Sequence, residues 1–218
     1  MRIARGGGIF VFPALGLFTL VFISYLFSPH LWHLILALIT LLTLVLMLWF
    51  FRDPPRQPAG PSDSPVAVAP ADGRIIAMEE RDDGCSLSVY LTLFDVHVIR
   101  LPLDALVQSV SCLPGGHRPA GSAAGARNAA VEMRCAMGSG EMVIRLVSGL
   151  LARRIVTYLA PDEMGRAGMR LGLIRFGSRV DLELPAGYRP LVLIGERVHA
   201  GVSEVAVLES SSTVSPQG

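Results

Sequence analysis

Two long apolar runs open the chain, and neither contains Asp, Glu, Lys or Arg. They cover Ile9–Phe27 and Leu31–Phe51, and only residues 28–30 separate them. Each has close to the roughly 20 residues that a helix needs to cross the hydrocarbon core of a bilayer. The pattern therefore predicts an N-terminal transmembrane α-helical hairpin over residues 1–51, with helices at 9–27 and 31–51.

Arginines flank this hairpin at its two outer ends. Arg2 and Arg5 precede the first run, Arg52 and Arg56 follow the second, and the connecting turn has neither Lys nor Arg. Basic residues beside membrane spans favour the cytoplasmic side. We therefore expect the protein in the cell (inner) membrane, with the domain that follows the hairpin on the cytoplasmic side. A cleaved signal peptide is disfavoured, because no small-residue cleavage site follows the first run.

The pattern of hydrophobic positions changes after the hairpin. Residues 52–65 are rich in proline and predict an extended linker. Residues 66–218 carry short apolar runs separated by Gly, Pro and Asp, which predicts a mainly β domain, here β-rich α+β of barrel-sandwich type. Residues 150–159 are compatible with a strand or a short helix, and residues 115–128 predict a loop. The runs predicted as strands are Arg74–Met78, Ser86–Leu93, Val96–Leu101, Glu132–Arg134, Met142–Leu146, Val180–Leu184 and Pro190–Ile194.

Composition narrows the chemistry. The chain of 218 residues is 51% hydrophobic with a mean hydropathy of +0.51, which supports a membrane part. Its net charge of +1 argues against a nucleic-acid partner. All 19 residues of the Lys and Arg class are Arg, so a lysine of the protein cannot form a Schiff base with a substrate. Cys85, Cys112 and Cys135 are far apart, so we expect neither a disulfide framework nor a metal site.

Candidate chemistry lies in several short segments of the second part. In Pro70–Gly73, Asp72 and the glycine after it predict a turn before a strand. In Phe94–Pro102, His97 lies within an apolar run, where a lone histidine is usually structural.

Two further segments contain paired arginines and a Gly-Ser pair. In Gly149–Ile155, Arg153 and Arg154 are either solvated or able to hold a phosphate or carboxylate through bidentate hydrogen bonds. In Leu173–Asp181, Ser178 follows a glycine. No G-x-S-x-G pattern surrounds it, which argues against an ordinary hydrolase serine.

In their order and spacing, these segments resemble the short, bacterial form of the phosphatidylserine decarboxylase family. The resemblance covers nearly the whole chain, from the hairpin and Phe50–Pro54 to Gly195–Gly201, and it is tightest over Gly172–Arg179. Each segment alone is weak, whereas the octapeptide Gly-Leu-Ile-Arg-Phe-Gly-Ser-Arg is specific.

The resemblance implies a self-processing proenzyme. The chain would cut itself between Gly177 and Ser178, through attack of the serine hydroxyl on the preceding carbonyl, an N-to-O acyl shift and β-elimination. The products would be a β chain of residues 1–177 and an α chain of residues 178–218 that stay associated. Ser178 would become an N-terminal pyruvoyl group, which would be the covalent cofactor, and no metal would be needed.

The same resemblance implies the reaction. Phosphatidylserine would form a Schiff base with the pyruvoyl group, lose CO2 and leave as phosphatidylethanolamine, because the carbanion needs an electron sink that no side chain provides. His97 matches the general acid that reprotonates the substrate, and Asp72 matches the residue that assists self-cleavage. Arg153 and Arg154 are assigned to the lipid phosphate on charge type alone. The expected partners are the membrane phospholipid substrate and the two chains of one proenzyme, and formation of a homo-oligomer stays open.

This sequence departs from the family pattern at two positions. Arg100 stands where longer members have a second histidine, so the base that deprotonates Ser178 stays open between His97 and His199. Ala126 stands where the family has an acidic residue.

The main alternative is a non-enzymatic adaptor, a β domain tethered to the membrane. It predicts an intact chain and gives no reason for the run around Ser178. A pyruvoyl decarboxylase for a soluble amino acid is disfavoured by the hairpin, and a relative acting on an ether-linked serine lipid is not distinguished. A zinc peptidase is disfavoured because His97, His117 and His199 lack ligand spacing.

Overall fold

The structure is a computed structural model that describes residues 2–56, 64–116, 118–122, 125, 127–149, 154–175 and 178–209. The chain divides into two compact units, Met1–Pro55 and Arg56–Gly218.

The first unit is a helical hairpin. Helices α1 (Gly8–Phe27) and α2 (Leu31–Phe50) pack against each other and are long and apolar enough to cross a membrane, with mean hydropathies of 2.3 and 2.5. The predicted hairpin is therefore confirmed. Residues at the start of the predicted linker instead form a short strand, because β1 (Arg2–Ile3) pairs antiparallel with β2 (Arg52–Asp53).

One polar contact joins the two helices. Ser24 Oγ in α1 and His33 Nε2 in α2 lie 3.2 Å apart, and His33 is buried. A hydrogen bond between neighbouring helices is favourable in an apolar medium, since lipid offers these groups no other partner.

The second unit is built almost entirely of strands, which confirms the predicted mainly β domain. Its largest sheet has eight strands in the order β11-β7-β8-β9-β13-β5-β4-β15, and two smaller sheets have the orders β10-β12-β6 and β14-β16-β3. The strands are β3 (Val66–Val68), β4 (Gly73–Arg81), β5 (Gly84–Leu91), β6 (Val98–Arg100), β7 (Ala105–Leu113), β8 (Ala130–Met137), β9 (Gly140–Val147), β10 (Ile155–Thr157), β11 (Met164–Gly165), β12 (Arg170–Ile174), β13 (Ser178–Pro185), β14 (Tyr188–Pro190), β15 (Arg197–Val198) and β16 (Glu204–Leu208).

Strand β13 shows how the sequence places the core. Val180, Leu182 and Leu184 are buried, while the charged residues that alternate with them point outward. A strand exposes successive side chains on opposite faces, so this alternation turns one face of the sheet toward the core. Each such buried aliphatic side chain stabilises the fold by about 1.5–3 kcal/mol.

Some predicted boundaries differ from the structure. The strand predicted over Pro190–Ile194 is wrong, because β14 ends at Pro190 and the residues after it form a loop, in which Val192 is buried and Leu193 and Ile194 are exposed. Strand β7 was not predicted, because a bulge between Val107 and Ser109 interrupts its alternation. For residues 150–159 the sequence was compatible with a strand or a short helix. Residues 155–157 form a strand, and residues 150–153 lie outside the described residues.

Candidate active site

The candidate site lies at one end of the eight-stranded sheet. Ser178 is the first residue of β13 and pairs with Leu91, the last residue of β5. On the other side of β13, Arg179 pairs with Val147, the last residue of β9. Strand β4 begins at the same end with Gly73, directly after Asp72. The antiparallel register therefore brings the segments around Asp72 and Ser178 to the same end of the sheet.

Ser178 is fully buried, and its Oγ has no hydrogen-bond partner among the described residues. Its place in the alternation of β13 puts it on the core-facing side, in line with Val180 and Leu182. A buried hydroxyl without a partner costs about 1–3 kcal/mol, which evolution rarely leaves uncompensated unless the group has a function.

A second serine lies beside it. Ser148 follows the last residue of β9, so the register that pairs Arg179 with Val147 puts it opposite Ser178. Ser148 Oγ is also buried without a hydrogen-bond partner in the described part of the chain. Sequence reasoning missed this residue, because only strand pairing brings it to Ser178.

Asn128 holds Ser148 in place. Its Nδ2 donates to the Ser148 carbonyl at 2.8 Å and to the Arg118 carbonyl at 2.7 Å, and its Oδ1 accepts from the Arg118 N–H at 2.8 Å. The Ser148 N–H donates to the Ala129 carbonyl at 2.9 Å. Asn128 therefore fastens the 115–128 loop to the end of β9, next to Ser178. Ala126 lies outside the described residues.

His97 is fully buried in the loop before β6. Its Nδ1 lies 2.9 Å from the carbonyl oxygen of Asp95. A carbonyl only accepts, so Nδ1 carries a proton and donates it to the Asp95 oxygen. The His97 carbonyl accepts from the Ile174 N–H at 3.3 Å, which ties this loop to the end of β12, the strand that leads to Ser178.

The Asp95 carboxylate holds the loop that carries His97. It accepts from the Thr92 N–H at 2.8 Å and from Thr92 Oγ1 at 2.7 Å, and Arg197 donates to it at 2.6 Å. Burial alone would raise the pKa of Asp95, but the hydrogen bonds from Thr92 and Arg197 outweigh burial and leave the pKa below its ordinary value.

Asp72 lies in a separate polar cluster. Arg56 donates to both of its oxygens, with a distance of 2.8 Å to Oδ2, and the Ala200 N–H donates to Oδ1 at 2.8 Å. His199 Nδ1 lies 3.8 Å from Oδ2. Among the described residues, these are the partners of Asp72, and His97 is not one of them.

The glycine after Asp72 is required by packing. Gly73 has a φ of +152°, and a Cβ there would lie 2.0 Å from the Tyr90 carbonyl oxygen. The chain can therefore bring Asp72 this close to β5 only with glycine at position 73.

Arg100 occupies the position of the missing second histidine. It is buried, and its Nη1 donates to the Gly168 carbonyl at 2.8 Å. It is also the cross-strand neighbour of Arg170. The guanidinium therefore anchors the turn before β12 in this chain.

Two arginines lie near the link between β12 and β13. Arg154 is exposed, and its carbonyl accepts from the Arg175 N–H at 3.4 Å. Burial and then repulsion from Arg154 lower the pKa of the Arg175 guanidinium. Arg153 and Gly177 lie outside the described residues, as does the peptide bond predicted to be cut.

In the part of the chain that the structure describes, no group of three or more His, Cys, Asp or Glu side chains is placed so that it could hold a metal ion. Burial raises the pKa values of Cys85 and Cys135 to about 11, so these thiols stay protonated near neutral pH. His117 lies outside the described residues.

Comparison with known proteins gives a consistent result. The family described as phosphatidylserine decarboxylase matches residues 44–206. The phosphatidylserine decarboxylase proenzyme of Burkholderia mallei is 42% identical over 178 residues, which cover 77% of this chain and 80% of that protein. The proenzyme of Ralstonia pickettii is 42% identical over 174 residues, which cover 75% of this chain and 79% of that protein. The proenzyme of Cupriavidus taiwanensis is 38% identical over 218 residues, which cover 95% of this chain and 96% of that protein.

The match extends across both units and includes the strands that meet at Ser178. On these grounds, the chain belongs to the phosphatidylserine decarboxylase family.

Proposed function

We propose that this protein decarboxylates phosphatidylserine to phosphatidylethanolamine and CO2 with a pyruvoyl group that it makes from Ser178. Cleavage between Gly177 and Ser178 would leave chains of residues 1–177 and 178–218. The observation that carries the proposal is the buried, unpartnered hydroxyl of Ser178 at the start of β13, within the octapeptide that resembles the family's cleavage site. The proenzyme names of the relatives fit this processing.

Self-cleavage needs only groups of the chain and water. Ser178 Oγ attacks the preceding carbonyl carbon, and the C–N bond breaks as the serine nitrogen takes a proton, which converts the amide to an ester. Loss of the Cα proton then expels the upstream chain as a carboxylate. Water then adds to the remaining dehydroalanine, and its nitrogen leaves as ammonia. The carbonyl that remains is that of the pyruvoyl group. His97, through Nε2, and His199, beside Asp72, are the two candidates for the base that deprotonates Ser178.

His97 is proposed as the proton donor of the decarboxylation. The pyruvoyl group supplies the electron sink that takes up the electrons left when CO2 departs. The Asp95 carbonyl fixes the imidazole so that Nε2 delivers the proton to the substrate carbon. The buried position of His97 excludes water from competing for that proton.

Asp72 and the arginines are proposed to position groups. Asp72 is saturated by Arg56 and the Ala200 N–H, so it orients this end of the sheet and the nearby His199 during self-cleavage. Arg154, and Arg153 before it in sequence, are proposed to hold the lipid phosphate, for which an exposed guanidinium is suited.

The hairpin suits a diacyl lipid substrate. Such a lipid stays in the bilayer, and two spanning helices keep the domain at the surface where the lipid lies. We place the domain on the cytoplasmic side because arginines flank both outer ends of the hairpin. None of the relatives supports the alternative of a non-enzymatic adaptor.

An intact mass of the denatured protein tests the proposal. We expect two fragments that match residues 1–177 and 178–218, the smaller one blocked at its N terminus. Ser178→Ala should give one uncut chain without activity. Gly138-Ser139 is a matched control, because it is the same dipeptide in the turn between β8 and β9, and Ser139→Ala should still cut. Lipid decarboxylation by the Ser178→Ala chain would refute the pyruvoyl proposal.

A further inference from the structure

Two loops of the second unit expose large apolar side chains at their tips. Leu93 and Phe94, in the loop between β5 and β6, are 46% and 70% exposed. Leu193 and Ile194, in the loop between β14 and β15, are 72% and 63% exposed. We call these four side chains the apolar rim. Soluble proteins rarely group large apolar side chains in this way, and such groups mark contact surfaces.

The two loops lie side by side at the end of the sheet that carries Ser178. The Arg197 guanidinium, at the end of one loop, donates to Asp95 in the other at 2.6 Å. Arg74 Nη1 donates to the Gly195 carbonyl at 2.9 Å, and Arg74 pairs with Tyr90 in β5. The neighbour of Tyr90 is Leu91, the cross-strand partner of Ser178.

Hydrogen bonds hold both loops in shape. In the first, the Asp95 N–H donates to the Thr92 carbonyl at 3.1 Å. In the second, the Glu196 N–H donates to the Leu193 carbonyl at 3.1 Å, and Glu196 Oε2 accepts from the Leu193 N–H at 3.0 Å. The tips are therefore presented in a fixed conformation, so ordering them on a partner costs little conformational entropy.

The charges beside the rim suit phospholipid headgroups. Arg74 and Arg197 are exposed at its base and can donate to phosphates. The nearby Glu196 carboxylate is engaged by its own loop. A surface with apolar tips above guanidinium groups matches the order of acyl chains and phosphates at a bilayer interface.

We propose that the apolar rim inserts into the bilayer interface and forms the entrance through which a phospholipid passes from the membrane to Ser178. This inference rests on the proposed function, because only a lipid substrate requires such an entrance. The hairpin tethers the domain, whereas the rim determines which face of the domain meets the bilayer. A lipid leaving the membrane beside the rim keeps its acyl chains in contact with apolar side chains while its headgroup approaches the site.

Tryptophan fluorescence tests the contact directly. The full chain carries Trp32→Phe and Trp49→Phe, and Leu193→Trp then places one indole on the rim. It is reconstituted in vesicles of phosphatidylcholine and phosphatidylglycerol that carry bromines near the top of the acyl chains. Met164→Trp is the matched control, because Met164 is 69% exposed and lies in β11, at the opposite edge of the eight-stranded sheet from β15.

We expect the brominated lipid to quench about half of the emission in the Leu193→Trp chain, as for a side chain within 5–10 Å of the headgroup boundary. The Met164→Trp chain should keep its emission. No quenching at position 193, or equal quenching at both positions, would overturn the proposal. The readout needs no activity, so failure of self-cleavage would refute the proposed function without affecting this result.

A rate ratio tests the entrance. We compare decarboxylation of bilayer phosphatidylserine with that of a monomeric short-chain analogue in Leu193→Ser/Ile194→Ser and in Met164→Ser. Loss of two rim side chains should lower the ratio of bilayer rate to monomer rate about tenfold, because only the bilayer substrate uses the rim. The ratio for Met164→Ser should match that of the parent. An unchanged ratio in the double variant would exclude the rim as an entrance.

Discussion

At the scale of single residues, a substitution of His97 distinguishes the two proposed steps, self-cleavage and decarboxylation. Its Nδ1 proton is held by the Asp95 carbonyl, so only Nε2 is suited to deliver a proton to the substrate carbon. In His97→Gln we expect at least partial self-cleavage and a kcat lower by about 10²–10⁴, the range for loss of a general acid. Normal turnover of the cut enzyme would remove His97 as the proton donor.

His199→Gln is the comparison that decides the base for self-cleavage. His199 lies beside Asp72, whereas His97 does not contact that carboxylate among the described residues. Slower cutting in His199→Gln than in His97→Gln would assign the base to His199, and the reverse would assign it to His97. The ratio of cut to uncut chain in a mass spectrum, followed over time after synthesis, measures both.

The Asp95 carboxylate gives a prediction about pH. Its pKa is lower in the folded protein than its ordinary value of about 3.9. The ionised group therefore stabilises the fold fully above that value, and the stabilisation is lost as pH falls through the lower, folded pKa. In Asp95→Asn we expect a melting temperature about 2–4 °C lower at neutral pH, with the gap to the parent closing below pH of about 4.

Glu79→Gln is the control for this pH effect. The Glu79 pKa is also lowered, by its hydrogen bond to Arg81, but the pair is exposed and its charges are screened by water. We expect no measurable change in its melting temperature at any pH. A gap for Asp95→Asn that stayed constant down to low pH would show that the charge of the carboxylate is not what stabilises the loop.

The residues that could be predicted from sequence are those whose meaning is local. Ser178 lies in a specific octapeptide, and His97 and Asp72 lie in short segments of recognisable order. Ser148 and Arg56 could not be found in this way. Arg56 reaches the Ala200 carbonyl across 144 residues of chain, and the approach of Ser148 to Ser178 depends on which strands pair.

At the scale of elements, the 115–128 loop is predicted to support the site through Asn128. Asn128→Ala removes three hydrogen bonds and leaves a buried carbonyl of Ser148 without its donor. We expect a loss of about 2–3 kcal/mol in the free energy of unfolding, and slower self-cleavage because the end of β9 moves relative to Ser178. Denaturant unfolding and the time course of cutting measure the two effects.

Ser122→Ala is a matched control in the same loop. Its exposed hydroxyl bonds only locally, to the Pro119 carbonyl at 2.8 Å, so both readouts should stay near those of the parent. If Asn128→Ala lost stability but cut at the parent rate, the loop would support the fold without positioning the site.

Strands with a regular apolar period on the core-facing side were predictable, and β7 was not. Strands β5, β9 and β13 carry regular apolar positions on their core-facing side, so their runs were found from sequence. A bulge hides the period of β7, and the apolar residues 191–194 suggested a strand although they form a loop from which Leu193 and Ile194 face outward. Hydrophobic residues on a contact surface and in a core give the same local pattern.

At the scale of the whole molecule, the sheet order explains how two chains could stay associated after cutting. Strand β13 would begin the new α chain, and it pairs with β5 on one side and β9 on the other. Strands β15 and β16 pair with β4 and β3, which would belong to the β chain. One broken peptide bond therefore leaves the backbone ladders between the chains intact. Sequence could not give this order, because strand pairing joins segments that are distant along the chain.

The proposed cytoplasmic side of the second unit can be tested with a cysteine of the chain itself. Cys112 is exposed, whereas Cys85 and Cys135 are buried with pKa values raised to about 11 and react poorly. Arginines at both outer ends of the hairpin predict that Cys112 lies in the cytoplasm. A thiol reagent that cannot cross membranes should therefore label Cys112 in inside-out vesicles and not in right-side-out vesicles.

Ser28→Cys in a Cys112→Ser background supplies the opposite control, because residue 28 lies in the turn between α1 and α2. Its label should appear in right-side-out vesicles only. Labelling of Cys112 from outside, together with labelling of position 28 from inside, would invert the topology and place lipid decarboxylation on the outer surface. Labelling of both positions from the same side would show that the hairpin does not span the bilayer, since two crossings must put its turn and its ends on opposite sides. The pairing of the two positions thus separates a wrong orientation from a wrong assignment of the helices.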